Sequence, residues 1–153
     1  MISSPLQYVN GLNQKRVWDH VTNADHAQVT LTFTDGVQAI FTNSDLAAAR
    51  KPKFFILGTK GSIVGDWDTS AGGSVADHPA KISIHRIDGA VEAIALKSVE
   101  PYAFHESLVA RINEGTPMSV TAEQSRDVVA IMQAAEESAL VNGLPVVPKL
   151  LRS

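Results

Sequence analysis

The stretch Asn43-Ser44-Asp45-Leu46-Ala47-Ala48-Ala49-Arg50-Lys51-Pro52-Lys53 carries the most suggestive polar groups of the chain. It sets amide, hydroxyl and cationic side chains on one connection between two strand-like runs, and such connections are where binding groups are usually carried. A charged connection also exists without any ligand, so the residues alone point to binding and to no particular reaction. Gly58-Thr59-Lys60-Gly61-Ser62 resembles a phosphate loop only superficially. A P-loop needs G-x-x-x-x-G-K-S/T at the start of a helix, whereas Ile63 and Val64 continue a strand pattern; a plain turn is expected. No dinucleotide fingerprint, G-x-G-x-x-G, occurs anywhere.

The remaining reactive residue types form no set. His20, His26, His78, His85 and His105 lack the H-x-x-x-H or H-x-E spacing of metal ligands, so no metal site is assigned. The serines include no G-x-S-x-G elbow. Asp66 and Asp68, like Glu136 and Glu137, read as loop and helix-surface charges. Trp18 and Trp67 are simplest as core or interface residues, although either could wall a ligand pocket. No catalytic and no cofactor-binding residue is assigned.

The elements that would carry these groups divide into strands and then helices. Val29, Leu31 and Phe33 alternate with threonines, and Asp35-Gly36 then leads into Val37–Phe41. Such a pair of runs around Asp-Gly predicts a hairpin, with a type I′ turn as the expected connection. An earlier strand is expected over Arg16–Val21. Phe54–Leu57 and Ser62–Trp67 form another pair, and Lys81–Ile87 with Ala90–Leu96 make a second hairpin across Asp88-Gly89. Residues 68 to 80, rich in Gly, Ser and Asp, are expected to be an exposed loop. Phe104, Leu108 and Ile112 then recur every four residues, between Pro101 and Gly115, which predicts a first helix. Thr121-Ala122-Glu123-Gln124 matches a capping box, and a longer helix follows. It shows Val128, Ile131, Met132, Ala135 and Ala139 on one face and stops at Asn142-Gly143 and Pro145. The small residues Ala134, Ala135 and Ala139 predict close packing on a sheet.

Strands in a block followed by helices imply an α+β fold: an open, mainly antiparallel β-sheet with helices packed on one face. One domain of residues 1–153 is expected, with strands over 15–97, two helices over 101–142 and a tail over 143–153. The second sheet face would then be bare, which favours a homodimer or higher homo-oligomer through it. The chain has 153 residues, a net charge of −3 and no cysteine. This mild acidity argues against nucleic acid as a partner. Neither a signal peptide nor a membrane-spanning apolar run is present, so a soluble, cytoplasmic protein is expected.

Four segments in order resemble the C-terminal domain of Gfo/Idh/MocA oxidoreductases. They are Val29–Ser44, Phe54–Ile63, Phe104–Pro117, and Val120 through Ala139 to Gly143, together spanning most of residues 15–147. The resemblance implies a sheet like that of the glyceraldehyde-3-phosphate dehydrogenase C-terminal domain, dimerisation through its open face, and a parent reaction. In that reaction hydride passes between NAD or NADP and a sugar, cyclitol or related polyol. The family segment that approaches the substrate falls here on Asn43, Ser44, Arg50 and Lys51, which become the candidate substrate-binding residues.

Three family features have no counterpart: the N-terminal Rossmann domain, the Glu-Lys-Pro segment with the catalytic lysine, and the Asp-x-x-x-His segment. Residues 1–14 are taken as the remnant of the domain's start. The chain is therefore expected to be inactive alone, with NAD or NADP belonging to a longer parent. The alternative is a stand-alone, non-catalytic ligand-binding or dimerisation module.

Overall fold

The computed structural model describes residues 2–68, 80–97 and 100–151. The loop expected between Asp68 and Ala80 therefore lies, from 69 to 79, outside the described residues. Among the described residues there are seven strands and two helices: β1 (Leu6–Gln14), β2 (His26–Phe33), β3 (Gln38–Ser44), β4 (Phe54–Gly58), β5 (Gly61–Asp66), β6 (Lys81–Arg86), β7 (Val91–Ile94), α1 (Ala103–Glu114) and α2 (Ala122–Leu140). The class is α+β and the pairing is antiparallel throughout. The strands fall into two sheets, ordered β1-β2-β3 and β4-β5-β6-β7. Two compact units correspond to them, residues 1–47 with 102–153, and residues 48–101.

In the first unit, α2 packs against β1. Val9, Ala134 and Ala135 are buried there, with Leu6, Val29, Leu31, Ile131 and Val146 packed around them. The approach is close because residue 11 has no side chain. A Cβ on Gly11 would lie 1.9 Å from the Ala135 carbonyl oxygen. The contact is then locked by polar groups. The Gly11 N–H donates to Ser138 Oγ at 2.9 Å, and that hydroxyl donates to the Leu144 carbonyl at 2.5 Å. Asn10 Nδ2 donates to the Gly143 carbonyl at 2.8 Å. Asn142 and Gly143 take left-handed backbone conformations, φ 61° and 80°, which turn the chain out of α2. Val146 then pairs with Val9 through two backbone hydrogen bonds of 2.9 Å, on the edge of β1 that β2 leaves free.

The buried face of α2 is Ile131, Ala134, Ala135 and Ser138, while Val128 and Met132 are exposed. The apolar face expected from the sequence is thus rotated. The seat over Gly11 takes the smallest residues available, and larger ones at that contact would hold the helix off. The Thr121–Gln124 capping box is present as expected, with both reciprocal hydrogen bonds. No residue of α1 is buried; the helix ends as foreseen at Gly115, φ 73°.

Both Asp-Gly hairpins form, with a different turn from the one expected. Gly36 and Gly89 have φ of 83° and 88°, and neither Asp35 nor Asp88 has positive φ. A type I turn followed by a left-handed glycine makes each connection. The Gly36 N–H donates to the Phe33 carbonyl at 2.9 Å, and the Gly89 N–H to that of Arg86 at 3.0 Å. Each aspartate stays at negative φ and accepts the N–H two residues on, Val37 or Ala90.

The strand expected over Arg16–Val21 is absent. Those residues form a loop, and the first strand is β1, within the stretch taken as a remnant. No described helix is long and apolar enough to cross a membrane.

Replacement of Gly11 by alanine is expected to destabilise the first unit by about 3 kcal/mol, since backbone rather than a flexible side chain must move. Ser138→Ala, which strips a buried N–H of its acceptor, is expected to cost about 2 kcal/mol. Urea denaturation followed by far-UV circular dichroism measures both; losses below about 0.5 kcal/mol, the range of neutral surface changes, would refute the close seat of α2.

Candidate functional site

Asp25 organises one end of the three-stranded sheet. Its side chain is wholly buried. The carboxylate accepts the backbone N–H groups of Arg16 (3.0 and 2.9 Å), Val17 (2.7 Å) and Trp18 (3.0 Å). These donors face a carboxylate instead of a neighbouring strand, which is why residues 16–18 do not extend a ladder. Burial alone would raise the pKa of Asp25; the N–H donors of Trp18, Val17 and Arg16 outweigh it and hold the group at about 2, below the ordinary 3.8. Lys15 Nζ donates to the Val21 carbonyl across the same loop. The loop presents Trp18 and His20, whose rings lie 6.2 Å apart.

The candidate residues Asn43 and Ser44 end β3 beside this anchor. Asn43 pairs with Ala27 and Ser44 with His26, and the next N–H, of Asp45, donates to the Asp25 carbonyl at 3.0 Å. Successive strand residues point to opposite faces. Asn43 therefore shares the face of Val29 and Phe41, and Ser44 that of Thr30 and Ile40.

Arg50 and Lys51 belong to the second unit and gather at Trp67. The Arg50 guanidinium lies 5.3 Å from the indole centroid and Lys53 Nζ 4.6 Å. The indole N–H donates to the Lys51 carbonyl at 2.6 Å. Trp67 lies fourteen or more residues from these cations along the chain, a separation at which no local sequence pattern joins them. Asp25 was missed altogether; its one sequence signal is an acidic residue set directly before a strand.

The other reactive groups stay apart. Gly58 pairs with Gly61 across the tight β4–β5 turn, so Gly58–Ser62 is no phosphate loop opening a helix. Ser83 Oγ lies 3.0 Å from His85 Nε2, and among the described residues no carboxylate bonds that imidazole. Among the described residues no three acidic or histidine side chains are grouped to hold a metal ion.

The family model of the GFO/IDH/MocA C-terminal domain matches residues 1–64. Over this stretch, less than half of the chain, the sequence is similar to that domain. The match begins at residue 1 and so includes β1 and the Asp25 loop, ahead of where the resemblance could be traced from motifs. Among solved structures, yvaA of Bacillus subtilis, assigned as an oxidoreductase, is 22% identical with a TM-score of 0.72, over 92% of this chain and 46% of that one. An NAD-binding protein of Listeria innocua is 17% identical with a TM-score of 0.68, over 96% and 42%. UDP-N-acetylglucosamine 3-dehydrogenase GnnA of Acidithiobacillus ferrooxidans is 16% identical with a TM-score of 0.65, over 90% and 41%. At such identities the likeness is one of fold. The chain spans less than half the length of each of these relatives. No curated protein matches. Antiparallel sheets with α2 against β1 match the glyceraldehyde-3-phosphate dehydrogenase-like C-terminal domain fold.

The depressed pKa of Asp25 makes its contribution to stability present above the unfolded value of 3.8 and lost as pH falls towards about 2. In a Trp67→Phe background, Trp18 fluorescence is expected to report release of the loop across that window. Asp25→Asn, which cannot accept from three N–H groups with a charged carboxylate, should show a released loop already at pH 7 and no transition between pH 4 and 2. A wild-type signal flat across this range would refute the anchor.

Proposed function

We propose that this chain is the substrate-binding and oligomerisation part of an NAD- or NADP-dependent oxidoreductase acting on a sugar or cyclitol, and that it is inactive alone. The observation carrying this reading is the match of residues 1–64 to the GFO/IDH/MocA C-terminal domain, together with full-length relatives that the chain covers only in part. GnnA, a sugar-nucleotide dehydrogenase by name, supports the substrate class. A cofactor would be held by a Rossmann domain outside this sequence, and Asn43, Ser44, Arg50 and Lys51 would contact the substrate.

For oligomerisation, the four-stranded sheet offers one apolar face to a second copy. Phe54, Ile56, Ile63, Ile82, Ile84 and Ile94 share that face by register, and all are exposed or half-buried. A face of this kind is stabilised by removal from water.

Three measurements test the proposal. The reading frame ahead of Met1 is expected to encode a G-x-G-x-x-G strand–turn–helix, and the longer product to reduce NAD+ or NADP+ with a sugar or cyclitol. In that product Asn43→Ala should raise KM about tenfold, the loss of roughly one substrate hydrogen bond. A longer product that binds no dinucleotide would sink the oxidoreductase reading. Sedimentation should give a dimer that Ile56→Lys converts to monomer, whereas a monomeric wild type would remove the oligomerisation role.

A further inference from the structure

We infer that the loop between β1 and β2 is a stacking site for a pyranose ring, with Trp18 against the apolar face of the ring and Asp19 and His20 at its hydroxyls. β1 ends at Gln14, β2 begins at His26, and these two residues pair directly. A hairpin connection at such a point takes only about two to five residues, so residues 15–25 are more chain than closure requires. The added length is tied down. The buried Asp25 carboxylate accepts the N–H groups of Arg16, Val17 and Trp18. The Asp25 N–H donates to the Gln14 carbonyl at 3.1 Å, and Lys15 Nζ to the Val21 carbonyl. Taking a carboxylate out of water costs stability that a short turn would not, and joining two strands does not call for it.

The anchored loop displays Trp18-Asp19-His20. Trp18 is 38% exposed, and its ring centroid lies 6.2 Å from that of His20, with 43° between the planes. Asp19 and His20 are exposed, and among the described residues Asp19 is in no ion pair. A pyranose with equatorial hydroxyls turns C–H groups to its two faces and hydroxyls to its rim. An indole covers such a face, while a carboxylate accepts from the rim and an imidazole exchanges hydrogen bonds with it. Asn43 and Ser44 add to this set. Gln14, His26 and Ser44 are in line across the three strands, so the end of β3 lies at the same end of the sheet as the loop. One aromatic wall with a few placed polar groups is the usual make-up of a small-molecule site, and rings fixed beforehand lose little freedom on binding.

In assigning this ring to the substrate, the inference rests on the proposed function; the platform itself does not. The test uses the chain as it is, with methyl β-D-glucopyranoside as the probe. Saturation-transfer NMR, irradiating aromatic protons of the protein, is expected to label the C–H groups of one sugar face more strongly than those of the other, and to saturate on titration. Trp18→Leu should weaken the apparent affinity at least about tenfold with the far-UV spectrum unchanged, and Trp18→Phe, which keeps a ring, should weaken it less. No transfer, equal labelling of both faces, or a Trp18→Leu variant that binds equally well would overturn the platform. So would saturable binding of nicotinamide mononucleotide at Trp18 in place of the glucoside. Glucoside binding together with a longer product that turns over no sugar leaves this inference standing and defeats the oxidoreductase reading. Turnover with a KM that Trp18→Leu leaves unchanged does the reverse.

Discussion

The backbone of α2 lies against β1 so closely that residue 11 can carry no side chain, and most of the first unit's order follows from that contact. A helix seated at this distance must present alanine and serine, so Ala134, Ala135 and Ser138 take the places that larger apolar residues hold in ordinary helix–sheet packing. Ser138 then works in two directions. It accepts the Gly11 N–H, which has no strand partner, and donates its own O–H to the Leu144 carbonyl beyond the helix. The turn at Asn142 and Gly143 thereby becomes part of the same joint, and Val146 is delivered to the edge of Val9. Strand, helix and C-terminal segment are one interlocked structure built on a missing methyl group.

A second buried polar group, Asp25, does for the sheet end what Ser138 does for the helix. A carboxylate removed from water is tolerated only when donors surround it, and the donors here are three successive backbone N–H groups. Meeting that requirement bends residues 16–18 out of any ladder and sets Trp18 and His20 at the surface beside the end of β3. The candidate residues Asn43 and Ser44 are held by pairing with Ala27 and His26, and the Asp25 backbone carbonyl accepts the N–H of Asp45 just beyond them. Arg50 and Lys51 have a different support, the indole of Trp67, in the other unit.

The second unit is bounded by exposure. Its β4 is exposed along its whole length, including Phe54, Phe55, Ile56 and Leu57. Apolar residues on both faces of a sheet are the pattern of strands that are covered on both sides in their finished setting.

Much of this was legible in the residues. Alternation of period two located β2 and β6, apolar runs and the turns between them located the other strands from β3 to β7, the Asp-Gly pairs marked two hairpins, and the Thr121 capping box and Gly115 bounded the helices, because these signals depend on neighbours a few residues apart. The ordered segments also carried the family resemblance. What the sequence could not decide is set by groups distant along the chain. The rotation of α2 depends on Gly11, 124 residues before Ala135. The loop at 16–18 depends on a carboxylate that looks like any surface acid until its burial is known. Joining of Trp67 to the three cations depends on pairing of β4 with β5. Local propensity determined which elements form; the faces they bury, the splitting of the strands into two sheets and the grouping of the site residues were decided only when steric fit and the satisfaction of buried polar groups brought remote segments together.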